Sequence, residues 1–325
     1  MPTLGAFSLS RRRLIILGST GSIGTQALGV VAHLNSLHER GEFPMRYDVV
    51  GLAAGTNAAL LFDQGARYGV RHLALANGGG SGSSLGGGVF VGSDAAERLV
   101  RTVECDMVLA AMVGSAGLPA TLAAVELGLD VAIANKESLV AAGGLVVPAA
   151  EKSGSRLLPV DSEHSALWQC LTGATSGEGR GACPPLRLQE SVSRVILTAS
   201  GGPFRAWSKE QIHAATPAQA LRHPTWSMGP KVSIDSASLM NKALEIIEAH
   251  WLFGVPGPRI EAVIHPQSIV HAMAEFTDGS VIAQMASPDM RGPIQHALAW
   301  PIRCNGVSKR LDFGALGRLE FEPPD

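Results

Sequence analysis

The sequence contains few cysteines, almost no net charge and no long hydrophobic run. Its four cysteines are scattered and form no CxxC pair, which excludes a disulfide-rich scaffold and a thiolate zinc site. Cysteine usage of this kind is typical of a reduced, cytoplasmic protein. The formal net charge is −2, whereas a general nucleic-acid-binding protein would carry a basic excess. Because no apolar run approaches the roughly 18 residues of a membrane-spanning helix, no membrane contact is predicted.

The residues that are present suit a large globular chain. Hydrophobic residues form 46% of the 325 residues and charged residues 17%, enough for the cores of roughly two domains. Near the amino terminus, three arginines precede a short apolar run that ends at Gly18, too short a run for a signal peptide. Residues 1–10 hold no acidic group, so a remnant of targeting to a plastid-type organelle stays open beside the cytoplasmic location.

Short apolar runs alternate with helical patterns from residue 13 to residue 130. Strands are predicted at 14–17, 49–53, 107–112 and 131–134, and helices at 25–37, 58–68 and 119–127. This alternation is typical of a parallel sheet with helices on both faces. The predicted fold class is therefore α/β, with a doubly wound, Rossmann-type domain at residues 11–156.

After Pro159 the pattern changes to that of a mixed α/β domain, predicted at residues 157–300 to bind metal and substrate. Strands are predicted at 194–197, 262–265, 268–276 and 281–286, and a helix at 239–251. The Asp278-Gly279 pair between two apolar runs indicates a hairpin. Residues 301–325 are predicted to be the start of a linker, and residues 311–325 lack clear periodicity. The glycine-rich stretches 78–92 and 173–185 are predicted to be flexible loops.

The first chemical motif is the glycine-rich segment GSTGSIG at residues 18–24, which follows a predicted strand and opens a predicted helix. Its GxxGxxG spacing is a variant of the dinucleotide-binding fingerprint, in which glycines let the backbone approach a pyrophosphate at a helix amino terminus. The second strand is followed by residues 52–57, which hold no acid to bind a ribose 2′-hydroxyl. NADP is therefore favoured over NAD, although no arginine or lysine lies there to bind a 2′-phosphate.

Carboxylates cluster in two further segments. Asp161 and Glu163 follow an extended stretch, and residues two apart in extended chain point to the same side. In the helix, Asn241, Glu245 and Glu248 recur on one face. Three facing carboxylates would form an all-oxygen site for a hard cation such as Mg²⁺ or Mn²⁺. The opposite side of this helix is predicted to face the core; it carries Leu239, Ala243, Ile246, Ile247 and Trp251.

Three other positions are candidate substrate contacts. Lys136 follows a predicted strand at the sheet edge where ligands bind in open parallel sheets. Ser200 with two glycines forms a potential anion-binding turn, and Ser236 lies near the predicted helix start, where hydroxyls and free N–H groups suit a phosphate. The segment 222–229, which contains His223 and Trp226, is a plausible mobile lid, although a loop histidine with ordinary partners explains His223 as well.

These motifs together closely resemble the 1-deoxy-D-xylulose 5-phosphate reductoisomerase family. The resemblance runs in family order from residue 13 to about residue 313. Its matching segments are GSTGSIG (18–24), AAMVGSAGL (110–118), ANKESLV (134–140), LLPVDSEHSA (157–166), ASGGPFR (199–205), RHPTWSMGPKVSIDSASLMNKALEIIEAHWLF (222–253), IHPQSIVHAM (264–273), DGSV (278–281) and PDMR (288–291).

The resemblance implies a role for each matching residue. The expected divalent-metal ligands are Asp161, Glu163 and Glu245, with Glu248 as a supporting carboxylate. The expected catalytic residues are Lys136, Glu163 and His223. The expected substrate contacts are Lys136, Ser162, Ser200, His223, Trp226, Ser236, Asn241, Lys242 and Glu245. The expected closing flap is formed by His223, Trp226 and Met228. The expected NADPH contacts are Gly18, Ser19, Thr20, Gly21, Ser22, Ile23, Gly55, Asn57, Asn135 and Glu137.

The activity implied by the resemblance is the NADPH- and metal-dependent rearrangement and reduction of 1-deoxy-D-xylulose 5-phosphate to 2-C-methyl-D-erythritol 4-phosphate. The cofactors would be NADPH and Mg²⁺ or Mn²⁺, the substrate a small sugar phosphate, and the assembly a homodimer. The family commonly has a basic residue at the position of Thr56, so the preference for NADPH over NADH stays open. The family also continues into a carboxy-terminal helical domain, which is expected to be absent because this chain stops at Asp325.

Two alternatives remain beside this interpretation. A truncated form could bind NADPH but be catalytically impaired. An aldehyde or semialdehyde dehydrogenase of similar build would need a catalytic thiolate, for which Cys170 is the only cavity-adjacent candidate. The residues around Cys170 are typical of a packed helix rather than of an activated thiol.

Overall fold

A computed structural model describes residues 10–77, 88–173, 183–226 and 228–324. Contacts within the chain divide it into two units. Unit 1 runs to Leu158 and takes in Ile294–Val307, and unit 2 comprises Pro159–Pro293 and the chain from Ser308. The sequence placed its domain boundaries after residues 156 and 300, and those bounds stay predictions.

Unit 1 is built on a seven-stranded sheet with the order β4-β3-β2-β1-β5-β6-β7. Its strands are β1 (Ser10–Leu17), β2 (Met45–Ala54), β3 (His72–Leu75), β4 (Val89–Val91), β5 (Met107–Ala110), β6 (Asp130–Ile133) and β7 (Leu157–Pro159). Strands β1 to β6 pair in parallel. The strand order reverses between β1 and β5, which is the point where ligands bind in doubly wound sheets.

Helices connect these strands. They are α1 (Ser22–Glu39), α2 (Ala58–Tyr68), α3 (Ala95–Thr102), α4 (Leu118–Glu126) and α5 (Lys136–Ser153), with α11 (Arg291–Ala299) returning late in the chain. The α/β class and the Rossmann-type sheet predicted from the sequence are confirmed. The core forms where the central strands are apolar, since Leu14–Leu17 and Met107–Leu109 are fully buried.

Five of these strands and helices were missed from the sequence: β3, β4, α3, α5 and α11. Strand β3 and helix α3 are short, and β4 lies within the stretch 78–92 that was predicted to be a flexible loop. That prediction is wrong for Val89–Val91, which pair with β3 in parallel. Residues 78–87 lie outside the described part of the chain. A three-residue edge strand beside a glycine run gives too little periodicity to be detected.

Unit 2 is built on a four-stranded mixed sheet with the order β11-β10-β8-β9. Its strands are β8 (Val192–Ala199), β9 (Ile260–Ile264), β10 (Val270–Phe276) and β11 (Val281–Met285). Its helices are α6 (Ser162–Gly173), α7 (Lys209–His213), α8 (Pro217–Ala220), α9 (Pro230–Ala237), α10 (Met240–Phe253) and α12 (Phe313–Leu316). The predicted hairpin is present, since β10 and β11 pair antiparallel across Thr277-Asp278-Gly279.

The end of the described chain also belongs to unit 2. Glu322 forms an isolated antiparallel bridge with Ile264 at the end of β9, and Arg205 forms an ion pair with the Glu322 carboxylate at 2.8 Å. Among the described residues, no helix combines the length and the apolar character needed to cross a membrane.

Candidate active site

The glycine-rich loop of unit 1 joins the end of β1 to the start of α1. The N–H groups of Gly18 and Ser19 both donate to the carbonyl oxygen of Ala53 at 2.8 Å, which fastens the loop to the end of β2. Helix α1 begins after Gly21 without a side-chain cap and without an acidic residue in its first turn. Its free N–H groups and positive dipole end therefore suit the pyrophosphate of a dinucleotide.

Gly24 is required by the closeness of the backbone around it. A Cβ atom at this position would lie 2.3 Å from the carbonyl oxygen of Gly18 and 2.5 Å from the Cα of Ser19. The first turn of α1 therefore packs directly on the loop, as the third glycine of a dinucleotide-binding fingerprint allows. The residues of this unit thus fit the cofactor that the motif predicts.

Two further predicted cofactor residues follow other strands at the same edge of the sheet. Asn57 caps α2, since its side-chain oxygen accepts the N–H of Leu60 at 3.2 Å. Asn135 follows β6, and its amide nitrogen donates to the carbonyl oxygen of Gly114 at 3.0 Å and to Glu137 at 2.9 Å. Asn135 therefore ties the loop after β5 to the start of α5. Direct contact of these side chains with NADPH stays a prediction.

Lys136 is the first residue of α5 and is only 6% exposed. A buried lysine directly after a parallel strand lies at the edge where such sheets bind ligands. Its placement agrees with the predicted substrate role, which stays a prediction.

The carboxylates of unit 2 converge on one buried point. Asp161 and Glu163 lie at the junction between β7 and α6, with Glu163 in the first turn of the helix. Ligand oxygens of Asp161, Glu163 and Glu245 all lie within 4.8 Å of one another. Asp161 and Glu163 lie close together as predicted, but the predicted cause, an extended chain through both residues, is wrong. The strand ends at Pro159, so a strand-to-helix turn rather than extended alternation brings Asp161 and Glu163 together.

Helix α10 carries the third carboxylate on a buried polar face. Glu245 and Glu248 are both fully buried, and Lys242 is 7% exposed. The predicted core side of this helix is wrong, because Ile247 is 40% exposed and Ala243 is also exposed. The polar stripe turns inward because it lines the site, while the carboxyl-terminal residues Ala249, Leu252 and Phe253 supply the apolar packing.

The helix predicted at 239–251 is also preceded by a second helix. Helix α9 ends at Ala237, and Leu239 adopts a left-handed conformation with φ of 58° before α10 begins. Ser236 therefore lies in the last turn of α9 and not at a helix start. The sequence analysis expected Ser236 to bind a phosphate because free N–H groups lie at a helix start. That reason does not apply, since Ser236 lies at a helix end.

Lys242 neutralises part of the carboxylate cluster. Its ammonium nitrogen lies 2.8 Å from Glu163 Oε1 and also forms an ion pair with Glu245. Burial opposes the charge of Lys242, but the facing carboxylates of Glu163 and Glu245 raise its pKa overall. Burial and the neighbouring charge of Glu245 raise the pKa of Glu163. A cluster with this excess of buried negative charge is stabilised by cations.

The donor set fits a hard divalent cation. Three carboxylates from α6, α10 and the junction before α6 offer only oxygen ligands, which Mg²⁺ and Mn²⁺ prefer. Ser162 donates its hydroxyl to Glu163 Oε2 at 2.6 Å, and the amide of Asn241 donates to Glu245. Such hydrogen bonds orient carboxylates for a metal. The individual ligand roles stay predictions.

His164 is a residue of this site that the sequence analysis missed. It is fully buried, its Nε2 lies 2.8 Å from the carbonyl oxygen of Glu245, and its Nδ1 lies 3.6 Å from Glu248 Oε2. It therefore links the start of α6 to two turns of α10. Its position directly after Glu163 in the sequence could have indicated that it belongs to the site.

The predicted phosphate-binding turn follows β8. The imidazole of His223 accepts at Nδ1 the backbone N–H groups of Thr225 at 3.2 Å and Trp226 at 2.9 Å. Nδ1 is therefore unprotonated, and Nε2 carries the proton that it donates to Ser200 Oγ at 2.8 Å. Burial lowers the pKa of His223, which favours this neutral form. The hydroxyl proton of Ser200 is thus left to donate to an anion.

The backbone brings Ser200 and Ser236 together. Gly202 has φ of 67°, and a Cβ on it would lie 2.5 Å from the carbonyl oxygen of Ser236. Only glycine permits this contact between the turn after β8 and the end of α9. Two predicted phosphate residues from distant parts of the sequence therefore lie beside the same turn.

The predicted flap segment contacts the sheet of unit 2 through Trp226. The ring centroids of Trp226 and His271 are 6.1 Å apart, and His271 on β10 is 5% exposed. Burial lowers the pKa of His271 to about 4, so this ring is neutral. His271 lies in the matching segment IHPQSIVHAM, but no role was assigned to it from the sequence.

Cys170 does not have the properties of a catalytic thiol. It is 1% exposed in the middle of α6, and its sulfur lies 3.7 Å from the carbonyl oxygen of Ala272. Burial raises the pKa of this thiol to about 11. The dehydrogenase alternative that requires a thiolate at this position is therefore disfavoured.

Three family models match the chain. One described as 1-deoxy-D-xylulose 5-phosphate reductoisomerase matches residues 14–143, and one described as the carboxy-terminal domain of the same enzyme matches residues 157–253. A further model, described as a DXP reductoisomerase C-terminal domain, matches residues 285–325.

Curated relatives and solved structures agree with these models. The 1-deoxy-D-xylulose 5-phosphate reductoisomerase of Mycobacterium avium (strain 104) is 50% identical over 325 residues, which is all of this chain and 74% of the relative. The same enzyme of Rhodococcus jostii (strain RHA1) is 50% identical over 96% of this chain and 73% of the relative.

Two solved structures are similar in fold and sequence. A DOX-P reductoisomerase in complex with NADPH, fosmidomycin and magnesium superposes with a TM-score of 0.84 at 37% identity, covering 97% of this chain and 76% of that one. The 1-deoxy-D-xylulose 5-phosphate reductoisomerase of Zymomonas mobilis in complex with NADPH gives a TM-score of 0.80 at 41% identity, covering 97% and 77%.

Proposed function

The chain belongs to the 1-deoxy-D-xylulose 5-phosphate reductoisomerase family, and from that premise we propose its reaction and the residues that perform it. It converts 1-deoxy-D-xylulose 5-phosphate to 2-C-methyl-D-erythritol 4-phosphate in non-mevalonate isoprenoid biosynthesis. The cofactors are NADPH and a divalent cation, which accompany relatives in their solved structures. The observation that carries the proposal is the carboxylate cluster of the half-buried Asp161 and Glu163 with the buried Glu245.

The reaction has two stages. The carbon skeleton of the ketose phosphate first rearranges to an aldehyde, which is then reduced. When bound, the cation supplies Lewis-acid polarisation of the substrate ketone and adjacent hydroxyl, and NADPH supplies the hydride. The side chains and the backbone of this chain bind and orient the reactants and neutralise charge.

Unit 2 holds the cation and one end of the substrate. Asp161, Glu163 and Glu245 hold the cation, and Lys242 limits the repulsion among these carboxylates. Ser162 and Asn241 orient the ligands through hydrogen bonds to Glu163 and Glu245. Because these groups are fixed before the substrate arrives, little reorganisation is needed when charge develops on the substrate oxygens.

The substrate phosphate binds the turn after β8. His223 occupies one lone pair of Ser200 Oγ, so the hydroxyl proton of Ser200 is directed to the phosphate. Ser236 lies beside the same turn. Binding energy gained at the phosphate, which does not react, orients the carbons that do. Trp226 and Met228 belong to the segment that covers the bound substrate.

Unit 1 binds NADPH at the loop after β1. Gly18, Ser19, Thr20, Gly21, Ser22 and Ile23 supply the phosphate-facing backbone. The homodimer and the cytoplasmic or plastid-type location implied by the resemblance are also part of this proposal.

The test is a turnover assay on the purified chain. NADPH oxidation is followed by absorbance with 1-deoxy-D-xylulose 5-phosphate and Mn²⁺ or Mg²⁺, and the product is identified by mass spectrometry. We expect oxidation only when substrate and cation are both present, with 2-C-methyl-D-erythritol 4-phosphate as product. NADPH binding without oxidation would contradict the proposal and favour the catalytically impaired alternative.

A further inference from the structure

We propose that Gln64 is a positioning residue for NADPH, which acts by fixing the orientation of one peptide group in the loop after β1. The inference rests on the proposed function, because it concerns how the cofactor of that reaction is bound. Gln64 lies on α2, outside the glycine motif and outside every residue set that the family resemblance assigns.

Gln64 is a buried polar residue with a specific contact. Its side chain is 5% exposed on the inner face of α2. Its amide nitrogen donates to the carbonyl oxygen of Ser19 at 2.9 Å, across 45 positions of sequence. Burial desolvates the amide group of Gln64; this hydrogen bond compensates its nitrogen, whereas its Oε1 has no hydrogen-bond partner among the described residues.

The contact sets which way the next N–H group points. In a planar trans peptide the C=O and N–H bonds point in opposite directions. Because the Ser19 carbonyl points inward to Gln64, the N–H of Thr20 points outward, to the open side of the loop. Ser19 is fully buried, whereas Thr20 is partly exposed and Gly21 is exposed. The Thr20 N–H is therefore directed to the side where an anion can approach the start of α1.

Other contacts hold the loop in place, but they do not supply a donor to the carbonyl oxygen of Ser19. The N–H groups of Gly18 and Ser19 are fixed by Ala53, one peptide earlier. The side chain of Gln64, on α2, forms a hydrogen bond to the loop backbone from outside both the loop and α1. Without it, the buried Ser19 carbonyl would lose its donor, and the peptide would gain by rotating toward water.

Two substitutions separate the hydrogen bond from packing. Gln64→Leu keeps a large side chain but removes the donor. Gln64→Met keeps an unbranched side chain of similar length and has no hydrogen-bond donor. The matched control is Asp63→Asn, an isosteric change at the neighbouring exposed position of the same helix. NADPH affinity is measured directly by isothermal titration calorimetry, and the Tm of each full-length variant is recorded.

We expect Gln64→Leu and Gln64→Met each to raise the Kd for NADPH about tenfold, as loss of a buried hydrogen bond predicts. The KM for NADPH rises in parallel. The kcat at saturating NADPH and the KM for the sugar phosphate stay within about twofold of wild type, because the substitution weakens only the binding of NADPH. Asp63→Asn leaves all of these values unchanged.

The outcomes that overturn the inference are distinct from those that overturn the function. A wild-type Kd for NADPH in either folded Gln64 variant contradicts the positioning role. A lowered Tm with loss of kcat and an unchanged KM for NADPH shows a purely structural residue and contradicts it as well. Failure of the wild-type chain itself to bind NADPH contradicts the proposed function.

Discussion

Lys242 shows at the scale of single residues how unit 2 holds opposed charges away from water. An unpaired buried lysine would lose its charge, because burial favours the neutral amine. Glu163 and Glu245 reverse this and raise the pKa of Lys242. Two carboxylates and one ammonium still leave the cluster negative, and Asp161 adds a further carboxylate. The residue arrangement thus favours a divalent cation by charge as well as by ligand type.

His271 gives a prediction for the pH dependence of stability. Burial lowers its pKa to about 4, from about 6.5 in unfolded chain. Between these two values the unfolded state binds a proton that the folded state does not. The contribution of neutral His271 is therefore complete above pH 6.5 and is lost as the pH falls toward 4, by up to about 1.4 kcal/mol per pH unit.

The measurement is the Tm of wild type and of His271→Gln as the pH is lowered from neutral to acidic. We expect the Tm of the variant to fall less steeply below pH 6.5. The control His213→Gln, at an exposed histidine of α7, is expected to keep the wild-type slope. Parallel curves for wild type and His271→Gln would show that burial of this ring does not contribute to acid unfolding.

At the scale of elements, helix α10 shows that a hydrophobic pattern alone can predict the wrong buried face of a helix. An amphipathic pattern assigns the apolar face to the core, because most helices bury it. Here Glu245 and Glu248 are buried and Ile247 is exposed. The pattern correctly identified which residues share a face, since this depends only on helical spacing. It could not identify which face turns inward, because that depends on carboxylates contributed by Asp161 and Glu163 from another element.

The first turn of α1 gives a prediction with a matched control on the same helix. Gly24→Ala would place a Cβ atom 2.3 Å from the Gly18 carbonyl oxygen, so the loop must shift. We expect a loss of roughly 2 kcal/mol or more of stability and at least about a tenfold weaker affinity for NADPH. Gly29→Ala, where a Cβ would meet nothing within 4 Å, is expected to add roughly 0.5–1 kcal/mol.

Thermal unfolding and NADPH titration of both variants check this prediction. Wild-type affinity in Gly24→Ala would show that the loop accommodates the methyl group without moving. A destabilised Gly29→Ala would show that the backbone of α1, rather than the contact at Gly24, is sensitive to substitution.

At the scale of the whole molecule, the order of elements was predictable and the division into units was less so. Strongly apolar strands and the GSTGSIG segment indicate a doubly wound sheet, and the structure confirms it. The short elements β3, β4 and α3 were missed because each gives few turns or alternations of pattern. The return of Ile294–Val307 to unit 1 is a long-range contact that no local pattern encodes.

In the candidate site too, local motifs could be predicted from the sequence and long-range contacts could not. Residues in dense motifs, such as Asp161, Glu163 and Glu245, were found from the sequence. His164, His271 and Gln64 were not assigned a role, because their positions depend on side chains far away in sequence. The Ser200–His223 hydrogen bond likewise joins two segments whose proximity only the fold provides.

The central claim is that a cation held by Asp161, Glu163 and Glu245 makes turnover possible. Its most direct test is Mn²⁺ binding and Mn²⁺-dependent NADPH oxidation by Glu245→Gln, beside Glu261→Gln at an exposed glutamate of β9. The claim predicts weaker Mn²⁺ binding and a roughly thousandfold or greater loss of kcat in Glu245→Gln alone, since Lewis-acid stabilisation provides several kcal/mol. Near-wild-type turnover of folded Glu245→Gln with Mn²⁺ would contradict the claim.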